Sequence, residues 1–240
     1  EDAAGKAPTG VWPLPREDAR HRILILGDSL ATRDFGGALE RRLDAHAKLD
    51  ARRRAKSSTG LARPDYFDWM AEGARLLERH DPDLVVVIIG GNDGQDLIAE
   101  TARPRRVRWR APAWRDAYAA RVTAFLDLLT TSPRARVLWL ALPVMDLRHF
   151  ERKLTVIREV QRAAVEAHPK ATYLDTRAWS ATSSGTPLRE VVMGGRRVPL
   201  RQEDGVHFSR PGGAWFAAQV APEVLERFPD PGPRADRRRG

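Results

Sequence analysis

The tetrapeptide Gly27-Asp28-Ser29-Leu30 follows the apolar run Ile23-Leu24-Ile25-Leu26, and Asp204-Gly205-Val206-His207 stands near the other end of the chain. A hydroxyl becomes a competent nucleophile only when a base takes its proton, and an imidazole does this best when a carboxylate fixes its tautomer. Ser29 sits where a strand would pass into a helix, and His207 and Asp204 are close enough in sequence to share one turn. These residue types point to acyl chemistry through a serine. Asp28 is the competing acid, but side chains of adjacent residues project apart, which favours Asp204 as the partner of His207. No G-x-S-x-G string surrounds Ser29, so the nucleophile elbow of α/β-hydrolases is absent.

Other chemistries find less support. The chain has no cysteine, hence no thiol nucleophile, disulfide or thiolate metal site. Its histidines, at 21, 46, 80, 149, 168 and 207, show no spacing that suggests a ligand pair, so no metal is expected. Neither a G-x-G-x-x-G nor a G-x-x-x-x-G-K-[ST] string occurs, which argues against a nucleotide fold, and no cofactor is expected.

The elements that must position these residues follow from periodicity. Apolar runs at Arg22 to Leu26, Leu84 to Gly90, Arg136 to Leu142 and Ala171 to Asp175 read as strands buried on both faces, with a weaker strand at Leu49 to Ala55. Helical spacing joins Phe67, Met70, Ala71, Ala74 and Leu77, and again Tyr118, Val122, Phe125, Leu126 and Leu129. Further helices are expected at Leu30 to Ala47, Lys153 to Ala167 and Pro211 to Phe228, the last with proline in its first turn. The alternation predicts a three-layer α/β/α domain with a mostly five-stranded parallel sheet, in which ligands gather at the carboxyl ends of the strands. The 240 residues suffice for one such domain, expected over 22–228. An exposed lead-in is expected over 1–21 and a basic, disordered tail over 229–240. Gly91 to Ala113 and Thr176 to Asp204 are long enough to be functional loops.

Formal net charge is +9, concentrated in Arg52-Arg53-Arg54 with Lys56, in Arg103 to Arg110, and in Arg237-Arg238-Arg239. The first and last runs read as solvated surface charge. The total raises nucleic acid, anionic lipid and acidic polysaccharide as partners. No apolar run approaches the roughly 20 residues of a membrane-spanning helix. The chain opens on Glu1 without methionine, so a signal peptide, a membrane anchor or an arbitrary boundary is expected upstream.

Gly27-Asp28-Ser29-Leu30, Gly60, Gly90-Gly91-Asn92-Asp93 and Asp204-Gly205-Val206-His207 together resemble the four consensus blocks of the SGNH, or GDSL, hydrolases, in that family's order. The stretches from Lys56 to Trp69 and from Leu200 to Arg210 are similar to an SGNH subgroup of mostly bacterial envelope proteins catalogued as a domain of unknown function. The resemblance implies a flavodoxin-like sheet and a triad of Ser29, His207 and Asp204. It implies an oxyanion hole built from the N–H groups of Ser29 and Gly60 and the side-chain amide of Asn92. It makes Asp28 a structural turn residue.

On the substrate side, aromatic faces stack on sugar rings and guanidinium groups recognise carboxylates or phosphates. Trp109, Arg110 and Trp114 in the loop after Asn92, with Arg63 and Tyr66 near Gly60, are therefore candidate substrate contacts; the alternative is a lid whose tryptophans pack on the core. The expectation is an esterase or O-acyltransferase acting on an envelope polysaccharide, peptidoglycan or periplasmic glucan, periplasmic or otherwise exported. The competing non-enzymatic reading is a glycan- or nucleic-acid-binding protein that uses its basic surface. Its affinity would survive Ser29→Ala and, for nucleic acid, fall steeply with salt.

Overall fold

The computed structural model describes residues 12–14, 16–18, 20–99 and 105–228. Its chain order is β1 (His21–Gly27), α1 (Ser29–Thr32), α2 (Asp34–Asp44), β2 (Leu49–Ala55), α3 (Trp69–His80), β3 (Leu84–Ile88), β4 (Leu97–Ala99), β5 (Arg105–Val107), α4 (Trp114–Leu129), β6 (Arg136–Leu140), α5 (Arg148–Glu166) and β7 (Ala171–Leu174). A 3₁₀ turn (Thr176–Trp179), β8 (Glu190–Met193), β9 (Arg196–Pro199) and α6 (Arg210–Leu225) complete it. The main sheet is parallel with order β2-β1-β3-β6-β7, so the five-stranded α/β/α expectation holds.

Strand character follows burial. β3 is buried at every position and β1 from Ile23 onward, as strands covered on both faces require. Helices α2 and α6 pack together over one face, where Phe35 meets Phe216 edge-on at 5.0 Å between ring centroids. Helix α4 packs against both α3 and α5, and there Phe125 meets the strand residue Trp139. The order reverses at β1, whose neighbours β2 and β3 lead away on opposite sides. This switch opens a crevice at the carboxyl ends of β1 and β3. Ser29 follows β1 and Asn92 follows β3.

Four differences from the sequence expectation have physical causes. The helix expected over Leu30 to Ala47 is two helices broken at Arg33 (φ −123°, ψ −111°), because Arg53 Nη1 donates to the carbonyls of Ala31 (2.9 Å) and Thr32 (2.7 Å) and closes α1 after one turn. That contact also corrects the reading of the first basic run: Arg53 caps a helix and Arg54 pairs with Glu72, leaving Arg52 as the exposed member. Both long loops hold short antiparallel hairpins, β4–β5 and β8–β9, whose strands of three or four residues are too brief to show alternation. Where it is described, the lead-in is docked: the Trp12 indole donates to the Arg134 carbonyl (2.7 Å) and packs on Phe228, and the Arg16 guanidinium donates to the buried Asp83 (2.6 Å). Residues 1–11, Arg103, the tail 229–240 with its expected disorder, and the run Arg237-Arg238-Arg239 lie outside the described residues.

Candidate active site

Three turns at the carboxyl edge of the sheet converge, and two buried carboxylates fasten them. Asp28 is fully buried and caps α1, its Oδ1 accepting from Leu30 N (3.0 Å). Its Oδ2 accepts from Gly91 N (2.8 Å) and Gly90 N (3.2 Å), tying the turn after β1 to the turn after β3. Burial pushes Asp28 up to about 6, against the lowering by these N–H groups and with a further push from the charge of Asp93. With its oxygens committed to backbone, Asp28 is not a partner for His207.

Asp93, also fully buried, accepts from Ala62 N (2.8 Å), Leu61 N (3.0 Å) and the Tyr118 hydroxyl (2.7 Å). Burial raises its pKa, and raises that of Tyr118, on which the Asp93 charge acts in the same direction. The Gln161 amide donates to Tyr118 Oη (3.0 Å) and to the Ile89 carbonyl (2.8 Å), so the network runs from α5 through α4 to the loop after β2. Gly60 is there because nothing larger fits: a Cβ would stand 2.0 Å from Asp93 Oδ1.

The candidate donors follow from this frame. Asn92 Nδ2 donates one hydrogen to the Thr59 carbonyl (2.9 Å), which fixes the amide and leaves its second hydrogen unspent among the described residues. The backbone N–H groups of Ser29 and Gly60 donate to no described group. Helix α1 has four residues, so what it offers an anion is its individual N–H groups; it lacks the aligned turns of a macrodipole.

His207 is held by its own loop. Asp204 Oδ2 lies 2.6 Å from His207 Nδ1, while Oδ1 accepts from the backbone N–H of Val206 (2.8 Å) and His207 (2.9 Å). Burial raises the Asp204 carboxyl, but these bonds outweigh it and the net shift is downward. Nδ1 is thereby occupied and Nε2 is the nitrogen left for chemistry. Gly205 adopts φ +69°, and a side chain there would strike the Asp146 carbonyl at 2.7 Å. Behind the loop, Arg201 donates to the carbonyls of Val206 (2.6 Å) and Val144 (2.9 Å) and lies 4.3 Å from the Phe208 ring centroid. Burial lowers its pKa to about 10.

Ser29, Asn92 and His207 line one cleft of about 350 Å³, with Leu30, Phe35 and Phe208 as its apolar wall. Asp204 and Gly60 do not line it; the first backs the imidazole and the second lies beside Thr59. Among the described residues no hydrogen bond joins the Ser29 hydroxyl to the ring, as is common before a substrate draws such groups together. The arrangement offers a hydroxyl, an oriented imidazole and amide donors around one small space.

The five candidate substrate residues lie elsewhere. Tyr66 is 58% exposed, and Arg63 is engaged with Asp65 at 2.7 Å. Trp114 is a core residue, stacked on Tyr118 and donating to the Gln95 carbonyl (2.8 Å), and it also lines a cleft away from Ser29. Trp109 lines two neighbouring clefts beyond Gln95, one of them together with Arg110. The roles of Asp93, Tyr118, Gln161 and Arg201 were not anticipated. Gln161 carried a signal, being a polar residue at helical spacing among Leu154, Ile157 and Val165.

Sheet order and the position of these turns agree with the fold expected of an SGNH hydrolase. Residues 22–223 match the family described as Protein of unknown function (DUF459), and the chain belongs to that family. Among solved structures it is similar to the psychrotrophic esterase EstA from Pseudoalteromonas sp. (14% identity, TM-score 0.55, covering 86% of this chain and 97% of that one). It is also similar to a family two carbohydrate esterase from Clostridium thermocellum in complex with cellohexaose (14% identity, TM-score 0.52, covering 90% of this chain and 66% of that one). At such identity the likeness establishes the fold. No curated protein matches the sequence.

Proposed function

We propose that this protein is a serine esterase or O-acyltransferase acting on ester groups of an envelope polysaccharide, peptidoglycan or periplasmic glucan, outside the cytoplasm. The observation that carries the reading is the 2.6 Å contact between Asp204 and His207 Nδ1, with the ring lining the same cleft as Ser29. Ser29 Oγ attacks the ester carbonyl as His207 Nε2 takes its proton, and Asp204 stabilises the imidazolium through Nδ1–H. The oxyanion meets the N–H groups of Ser29 and Gly60 and the free hydrogen of Asn92. Collapse expels the sugar alkoxide, which receives the proton from His207 and leaves an acyl-serine. Water or a second hydroxyl, deprotonated by His207, then takes the acyl group.

The cleft volume and its short apolar wall favour a small acyl group. The carbohydrate esterase among the structural relatives supports a glycan ester, and the envelope subgroup resemblance supports the location. Mass spectrometry of envelope glycans from a deletion strain tests the proposal: gained ester groups indicate an esterase, lost ones a transferase, and unchanged acylation contradicts both.

A further inference from the structure

Beyond Asn92 the loop continues through Gly94, Gln95 and Asp96 into a groove that the chemistry above does not use. It has two lobes, of about 540 Å³ and 450 Å³, each of ligand size, and Trp109 and Lys153 line both. The near lobe starts at Gly94, two residues past Asn92, and Gln95 Nε2 bonds back to the Asn92 carbonyl (2.5 Å). The same loop thus lines both the Ser29 cleft, through Asn92, and the near lobe, through Gly94 and Gln95.

The far lobe is cationic over an apolar floor. Arg110, Arg152 and Lys153 line it and make no ion pair among the described residues, and no carboxylate among the described residues lines it. Nearby acids are engaged elsewhere: Glu159 with Arg115, Asp96 with Arg106, and Glu151 with Arg158 and Met145 N. Arg110 is held at φ +69°, a conformation that disfavours residues with a Cβ and so marks a position held in place by its surroundings. Arg152 and Lys153 stand side by side in the second turn of α5. Trp109, half-buried and edge-on to Trp114, contributes an aromatic ring and a buried indole N–H with no acceptor among the described residues.

We infer that this groove is a subsite for a polysaccharide chain bearing carboxylates. One sugar ring rests on Trp109 while its acidic groups meet Arg110, Arg152 and Lys153. A single-stranded nucleic acid suits it less, since base stacking needs successive aromatic platforms and the second tryptophan is buried. The inference deepens the esterase reading by naming the polymer, and rests on that reading for what the binding serves, not for the binding itself.

The test measures binding without turnover. The full chain carrying Ser29→Ala is titrated with oligogalacturonate, a neutral cello-oligosaccharide and a single-stranded oligonucleotide, by calorimetry. Oligogalacturonate is expected to bind, more weakly as salt rises, and the neutral sugar far less. Exposed ion pairs change affinity by roughly 1.5- to 5-fold each, so Arg110→Ala with Arg152→Ala and Lys153→Ala should weaken binding by roughly 3- to 125-fold. Removing the same charge from Arg41, Arg42 and Arg79, exposed on α2 and α3, should leave it unchanged. The inference is overturned if oligogalacturonate does not bind, if the oligonucleotide binds as tightly, or if both triple variants weaken binding equally. Failure here leaves the triad untouched, and an inert Ser29 would leave this binding result standing.

Discussion

Adding one methyl at Gly60 should unfasten the candidate site from within. The new Cβ would lie 2.0 Å from Asp93 Oδ1 and 2.7 Å from its Cγ, where ordinary contact begins near 3.4 Å. Either the carboxylate or the backbone must move by more than about 1 Å, and Asp93, fully buried, has no water to turn to. Moving it weakens its bonds to Ala62 N and Leu61 N and strains that to Tyr118. At about 1.5–3 kcal/mol for each bond to a charged group, losing one or two costs roughly 2–6 kcal/mol of a total stability of about 5–15 kcal/mol. Asp93→Ala alone orphans the same donors at comparable cost. In that background the methyl of Gly60→Ala enters vacated space and adds less than about 1 kcal/mol, so the cycle should show a coupling of several kcal/mol. Urea unfolding at low temperature, followed by tryptophan fluorescence, measures all four proteins. A Gly60→Ala cost below about 1 kcal/mol, or additive single costs, would refute the packing argument.

Three further outcomes are expected. Arg201→Met removes both bonds that hold the Val206 and Val144 carbonyls; since a misplacement near 1 Å can cost about 100-fold, kcat on a small aryl ester should fall by at least tenfold with KM little changed. Arg201→Lys should recover only part, because one ammonium cannot span two carbonyls as a guanidinium does, and a wild-type kcat for the Met variant would sink the positioning role. Asp28, raised from 3.8 to about 6, binds its proton more tightly when folded; its protonated form contributes stability that is full below about pH 4 and is lost as pH rises through about 6, up to about 3 kcal/mol. The cost of Asp28→Asn should therefore be larger near pH 4.5 than near pH 7, and a pH-independent cost would contradict the assignment. Chelating agents should leave ester turnover unchanged, so a metal-restored activity would reopen the choice of nucleophile.

How much was legible differs by kind of residue. Strands β1 and β3 announced themselves through unbroken apolar runs, and the sheet followed. Ser29, Asn92 and His207 were visible because four short blocks stood in one family's order. What stayed hidden depends on distance in sequence. Asp93 reads as a cap until Leu61, Ala62 and Tyr118 are folded onto it, and Arg53 reads as surface charge until α1 ends beneath it. Trp114 looked like a ligand platform because composition cannot tell a ring facing solvent from one stacked on Tyr118. Arg201 lay inside a recognised string, yet its two carbonyl partners are joined only by the fold.

The central claim is that Ser29 is an activated nucleophile served by His207. Incubating the intact protein with a fluorophosphonate and locating the adduct by peptide mass spectrometry tests it most directly. A single adduct on Ser29 is expected, formed at least about 1000-fold more slowly in His207→Ala. No adduct, an adduct on another residue, or undiminished labelling of the His207 variant would contradict it.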